Sequence, residues 1–214
     1  TDFLIDGESQ TVSEATGTYH VTPEGTVRIQ PTAARGAGAV FVDGPGSMHL
    51  RRMQQNGAAR EASGLLSGRQ SAQSFTIEFW AYPLSLEEGG AVLEWRGTYV
   101  LPDRPVHQEL RVNLHRGRFR WFLRGFWPID GAMVDSVELR GRSPVVPRQW
   151  HHHQLHYNGD TGQLVYRVDG VPEDIQYATK GGNVQGRNRR GRLGAGSRDG
   201  LGLGHGLRGG REDV

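Results

Sequence analysis

The stretch Ser74 to Tyr82, SFTIEFWAY, decides the fold class: Phe75, Ile77 and Phe79 alternate with Thr76, Glu78 and Trp80 before Pro83 ends the run. A period of two sends successive side chains to opposite faces of a strand. Proline has no amide hydrogen to donate, so it stops the ladder there. Bulky residues on both parities imply that both faces are occupied, and Trp80, like Trp150, reads as a core residue.

The same grammar recurs outward from this strand. Ala91 to Trp95 follows the turn Gly89-Gly90, and Glu109 to Leu114 is expected to pair with Arg118 to Arg124 through His115-Arg116-Gly117. Trp150 to Tyr157 and Gln163 to Val168 flank the turn Asn158 to Gly162, making a meander. Asp169-Gly170 is a further turn dipeptide, because glycine accepts positive φ without steric penalty. Upstream, Tyr19 to Val21, Thr26 to Gln30, Ala39 to Val42 and Ser47 to Arg51 read as short β pieces separated by glycine and proline. Met53 to Leu66 reads as a loop with one helical turn, since Gly57 and Gly64 interrupt it. Gly125 to Pro147 reads as a long insertion between strands, and the glycine- and arginine-rich remainder from Lys180 as loop-heavy.

A chain of 214 residues suits one sandwich with one core, and 36% hydrophobic residues with 32 glycines fit many short strands better than packed helices. Residues 1–214 are therefore expected to form a single domain. The absence of cysteine excludes disulfides, thiolate chemistry and cysteine metal sites. No apolar run approaches the roughly 18 residues of a membrane span, and no basic-then-apolar start marks a retained signal peptide. The net charge is a mild +2, and Lys180 is the lone lysine among the cations. That bias fits an anionic ligand, which arginine grips bidentately, and fits genomic base composition equally. The first fifty residues lean acidic and the last thirty-five basic, so the two ends are expected to attract.

Three segments together resemble the laminin-G-like, concanavalin-A-like superfamily: SFTIEFWAYP at 74–83, QWHHHQLHYNGDTGQLVYRVDG at 149–170, and RLGAG with HGLRGGREDV near the end. The family's tryptophan-histidine strand, turn, and strand closing in tyrosine, valine and Asp-Gly fall on Trp150, His152, Tyr166, Val168, Asp169 and Gly170. AVFVDGPGSMHL at 39–50 is similar to its early strand pair. The family's closing element usually runs past the equivalent of Gly210 to Val214, so a fragment of a longer chain, or a closing strand supplied from elsewhere, is expected. The resemblance implies an all-β, two-sheet antiparallel jelly-roll sandwich that binds glycans or proteins and, in some branches, calcium.

Aromatic rings stack on the apolar faces of sugars. Trp95, Tyr99, Phe126 and Trp127 are candidates for that role, with Arg124 beside them and Trp127 set in the long insertion. Calcium takes six to eight oxygens, and the resemblance would bring Asp6 and Asp213 together near the meeting of first and last strands. His151, His152, His153 and His156 do not make a zinc site, because strand geometry splits them between two faces. Glycoside cleavage needs paired carboxylates, whereas Glu78 and Glu94 stand singly on separate strands. The glycines at 204, 206 and 209 match a dinucleotide spacing without its flanking strand and helix. Arg187 to Arg192 resembles a phosphate-binding tract, but acidic patches on the same domain argue against nucleic acid. The expectation is a non-catalytic module that binds a polysaccharide or partner protein and is secreted, periplasmic or on the cell surface. A glycan-cleaving enzyme and a structural assembly domain are the alternatives.

Overall fold

The computed structural model describes residues 4–6, 13–14, 16, 18–52, 74–86, 88, 90–100, 104–129, 132–133 and 136–179. Met53 to Leu66, the segment from Lys180 onward with Asp213, and the side chains of Asp6 and Tyr99 lie outside the described residues. Every described regular element is a strand. In chain order they are β1 (Ile5–Asp6), β2 (Ser13–Glu14), β3 (Tyr19–Gln30), β4 (Ala39–Arg52), β5 (Phe75–Ala81), β6 (Ala91–Val100) and β7 (Pro105–His115). There follow β8 (Arg118–Arg124), β9 (Pro128–Ile129), β10 (Ala132–Met133), β11 (Ser136–Arg140), β12 (His151–Asn158), β13 (Gln163–Val168) and β14 (Val171–Tyr177).

Two four-stranded antiparallel sheets pack face to face, ordered β11-β8-β7-β6 and β14-β13-β12-β5. Alternation works as the sequence requires: Phe75, Ile77 and Phe79 face inward, opposite Tyr157, Leu155 and His153 of β12. Leu110, Val112, Trp121, Leu123, Leu139, Leu155 and Leu164 are wholly buried between the sheets. Each such side chain contributes about 1.5–3 kcal/mol of transfer free energy. Rings lock the layers together, with Phe79 5.7 Å from Trp121 and Trp121 5.7 Å from Tyr166.

Both tight hairpin turns of the sandwich have two residues at positive φ. Arg116 and Gly117 lie at 52° and 68°, and Asp169 and Gly170 at 50° and 82°. This mirror-image turn matches the right-handed twist of the strands that flank it. The long insertion Gly125 to Pro147 is not a plain loop, because β9, β10 and the sheet strand β11 lie within it.

One flank of the sandwich is closed by hydrogen bonds. Glu173 of β14 accepts from the backbone N–H of Arg142 and Ser143 at 2.6 and 2.7 Å and from the Ser143 hydroxyl at 2.8 Å. Asp174 accepts from the Arg140 N–H at 2.9 Å. Burial pushes the Glu173 carboxyl up, but the donors from Ser143 and Arg142 outweigh it and hold the group below the usual carboxylate range. These bonds tie the β11 edge to the β14 edge.

The four short β pieces expected near the start form two long strands. β3 and β4 pair in register from Tyr19 opposite Arg52 to Gln30 opposite Ala39. Gly25 and Gly44 take φ of 68° and 54°, so the irregularity between Glu24 and Thr26 is absorbed and pairing resumes beyond it. A Cβ at residue 46 would lie 2.8 Å from the Thr26 carbonyl oxygen, which is why glycine stands there.

Candidate functional site

Of the residues expected to meet a ligand, three come together, but facing inward. Gly125, at φ 72°, turns the chain so that Phe126 and Trp127 enter the space between the sheets. Any Cβ at 125 would sit 2.4 Å from the His107 carbonyl oxygen. Trp95 packs on Phe126 at 5.8 Å, Phe126 on Trp127 at 5.8 Å, Trp127 on Tyr157 at 5.2 Å, and Tyr157 on Phe75 at 5.4 Å. This chain of rings runs from β6 across to β12 and β5. Phe126 and Trp127 are 2% and 1% exposed, so the structure places them in the core rather than at a ligand. Trp95 is half-buried, with its ring folded over Gly97. Arg124 is exposed at the end of β8, in register with Glu109 and Ser136. Among the described residues no three of the metal-binding side-chain types converge.

The histidine run divides between faces as strand geometry demands. His153 is buried, stacked on Phe79 at 5.3 Å and edge-on to Phe119 at 4.5 Å, with Nδ1 2.8 Å from the Tyr166 hydroxyl. Burial, reinforced by neighbouring His151, lowers its pKa from 6.5 to about 4, so it is neutral at physiological pH. Burial likewise raises the pKa of Tyr166. His151 meets Asp169 at 2.7 Å. Desolvation pushes the Asp169 carboxyl up, but His151 and the His152 N–H outweigh it and hold it below its ordinary value. On the outer face, His152 stacks on Trp80 at 5.1 Å, and Glu78 accepts from the Gln154 amide at 3.2 Å. Trp80 is 38% exposed and faces outward, not into the core. The Arg35 guanidinium from the β3–β4 turn lies 5.5 Å from its ring.

Two apolar surfaces remain uncovered among the described residues. The first is the β3–β4 ribbon. Val21 lies opposite Leu50, Pro23 opposite Met48, Val27 opposite Val42 and Ile29 opposite Val40, and directly paired residues share a face. That face is apolar along its length, yet none of these eight side chains is buried. The opposite face is polar and self-satisfied: His49 meets Glu24 at 3.3 Å, and Arg28 lies over Phe41 at 4.9 Å.

The second surface is the flank of the sandwich formed by edge strands β5 and β6. Leu110, Leu123, Leu155 and Leu164 on the inner strands are fully buried, whereas Phe75, Ile77, Phe79, Ala81, Leu93 and Trp95 are only partly so. Carboxylates seal the β11–β14 side of the sandwich. On the β5–β6 side the core thins outward.

Comparison of the chain with protein-family models, with curated proteins and with solved structures gives no match.

Proposed function

We propose that this chain is a non-catalytic β-sandwich binding module whose ligand is a partner protein, engaged through the apolar face of the β3–β4 ribbon. One observation carries the reading: eight apolar side chains share one face of a rigidly registered ribbon, and none of them is buried. Contiguous apolar patches on otherwise polar domains mark interaction sites. A ribbon of only two strands is marginally stable in water until its apolar face is covered. Jelly-roll connectivity, kinship with concanavalin-A-like domains, and a secreted, periplasmic or cell-surface location belong to the same reading. A calcium ion at Asp6 and Asp213 would serve the fold rather than the ribbon.

A glycan ligand is the second reading, favoured by one feature. Tyr177 is 66% exposed on the outer face of the β14 edge, its hydroxyl 3.0 Å from the Gln163 amide, beside exposed Ile175. That arrangement offers a stacking ring with a polar neighbour.

Two measurements on one sample separate the readings: binding of anilinonaphthalene sulfonate to the dilute protein, and retention on neutral and acidic polysaccharides with and without calcium while reducing ends are monitored. The expected result is dye binding that Val27→Lys abolishes and no saccharide retention. Saccharide retention lost with Tyr177→Ala and untouched by Val27→Lys would move the function to the outer sheet, and released reducing ends would make the protein an enzyme.

A further inference from the structure

We propose that the partner is a second copy of this chain: the β3–β4 ribbon of one protomer lies along the open β5–β6 flank of the other, and the exchange is reciprocal. The inference rests on the partner-protein reading and names the partner.

The chain carries both halves of the contact. The ribbon presents an uncovered apolar face, and the flank presents half-buried Phe75, Ile77 and Leu93 at unpaired sheet edges. The ribbon does not cover its own flank, since none of the side chains packed against the core comes from it. Arg35 on the Trp80 ring holds the ribbon's turn on the outer face of the sheet, directing the ribbon's apolar face away from its own core.

Charge supports the match. Residues 19–52 carry Arg28, Arg35, Arg51 and Arg52 against Glu24 and Asp43, whereas residues 74–100 carry Glu78, Glu87, Glu88 and Glu94 against Arg96. A basic ribbon therefore meets an acidic flank, and opposite patches steer and align an encounter. Each protomer gives a ribbon and receives one, so a twofold axis closes the assembly with two identical contacts and no open chain of subunits. Unpaired sheet edges are the surfaces along which such exchange occurs.

Light scattering across a concentration series tests this with three samples: wild type, a ribbon variant (Val27→Lys with Val42→Lys) and a flank variant (Ala81→Arg). Near-ultraviolet circular dichroism confirms that each is folded. The proposal expects twice the chain's mass for wild type, falling toward the single-chain mass as salt rises. Each variant alone should be monomeric, and a 1:1 mixture of the two should regain dimer, because the mixed pair keeps one intact ribbon–flank contact. A dimer that persists in the ribbon variant overturns the proposal, as does a mixture that fails to associate. A monomeric wild type that binds anilinonaphthalene sulfonate through the ribbon overturns the second copy but leaves the partner-protein reading standing. A monomeric wild type that binds no dye overturns both.

Discussion

Acidification from pH 7 to pH 4 should remove about 3 kcal/mol of stability through a single side chain, His153. Its ring lies between Phe79 and Phe119 with Nδ1 on the Tyr166 hydroxyl, and Nε2 is buried with no hydrogen-bond partner. A charge there would have neither water nor a counter-ion, so burial depresses the pKa from 6.5 to about 4. The unfolded chain, with the ordinary value, binds the proton more readily between those two pH values. Stability therefore rises with pH across the window: it is fully present above about 6.5 and lost progressively down to about 4. Each pKa unit is worth about 1.4 kcal/mol, so the gap amounts to about 3 kcal/mol, a large share of the roughly 5–15 kcal/mol that holds a domain folded. Asp169 and Glu173 act in a lower window. Their carboxyls are held below ordinary values in the fold, so their contribution is present above the unfolded carboxylate pKa and falls away beneath it. Urea unfolding at half-unit steps from pH 7.5 to 4 reads the effect, and at a slope of about 2 kcal/mol per molar the midpoint should drop by about 1.5 M. His153→Phe keeps the aromatic packing and removes the titration, so its midpoint should be lower at pH 7, by the cost of an unpaired Tyr166 hydroxyl, but nearly flat from 6.5 to 4. Equal losses in wild type and variant across that window would refute the assignment.

Gly162→Ala should cost about 3 kcal/mol and lower the melting temperature by about 10 °C, because residue 162 has φ 75° and its new Cβ would lie 2.2 Å from the Thr179 carbonyl oxygen. Calorimetry checks it, and a shift of a degree or less would mean that the turn relaxes freely. Arg116→Asn should instead stabilise by about 0.5 kcal/mol, since asparagine tolerates the φ of 52° better and the side chain it replaces is exposed. Urea midpoints for the pair would show it. Glu173→Ala leaves the Arg142 and Ser143 amides without their acceptor, and a loss of about 2–3 kcal/mol with faster hydrogen exchange at those two amides is expected.

The β class, the SFTIEFWAY strand, the hairpin across Arg116-Gly117 and the meander through Asp169-Gly170 were legible in the sequence. Each rests on local rules: a period of two over several residues, and turns whose glycines accept positive φ. The ribbon was readable in principle and was missed. Val21, Pro23, Val27 and Ile29 are all odd-numbered, so the apolar parity crosses Gly25 unbroken, but the glycines there and at 44 and 46 read as breaks rather than as the residues that let pairing continue. The strand β11 was hidden in the long insertion, because SVELR is too short for its period to stand out.

Direction was decided by tertiary structure. Trp80 and Trp127 look alike as large aromatic residues, yet Trp80 lies on the outer face and Trp127 inside. Alternation assigns two faces to a strand without saying which one another sheet will cover, and an irregular segment after a turn has no period to assign at all. The sequence by itself determined where strands form and turn, through steric limits on each residue and its neighbours. Which faces meet, which flank is sealed by Glu173 and which stays open depended on contacts between residues far apart in the chain, and those exist only once the sheets have packed.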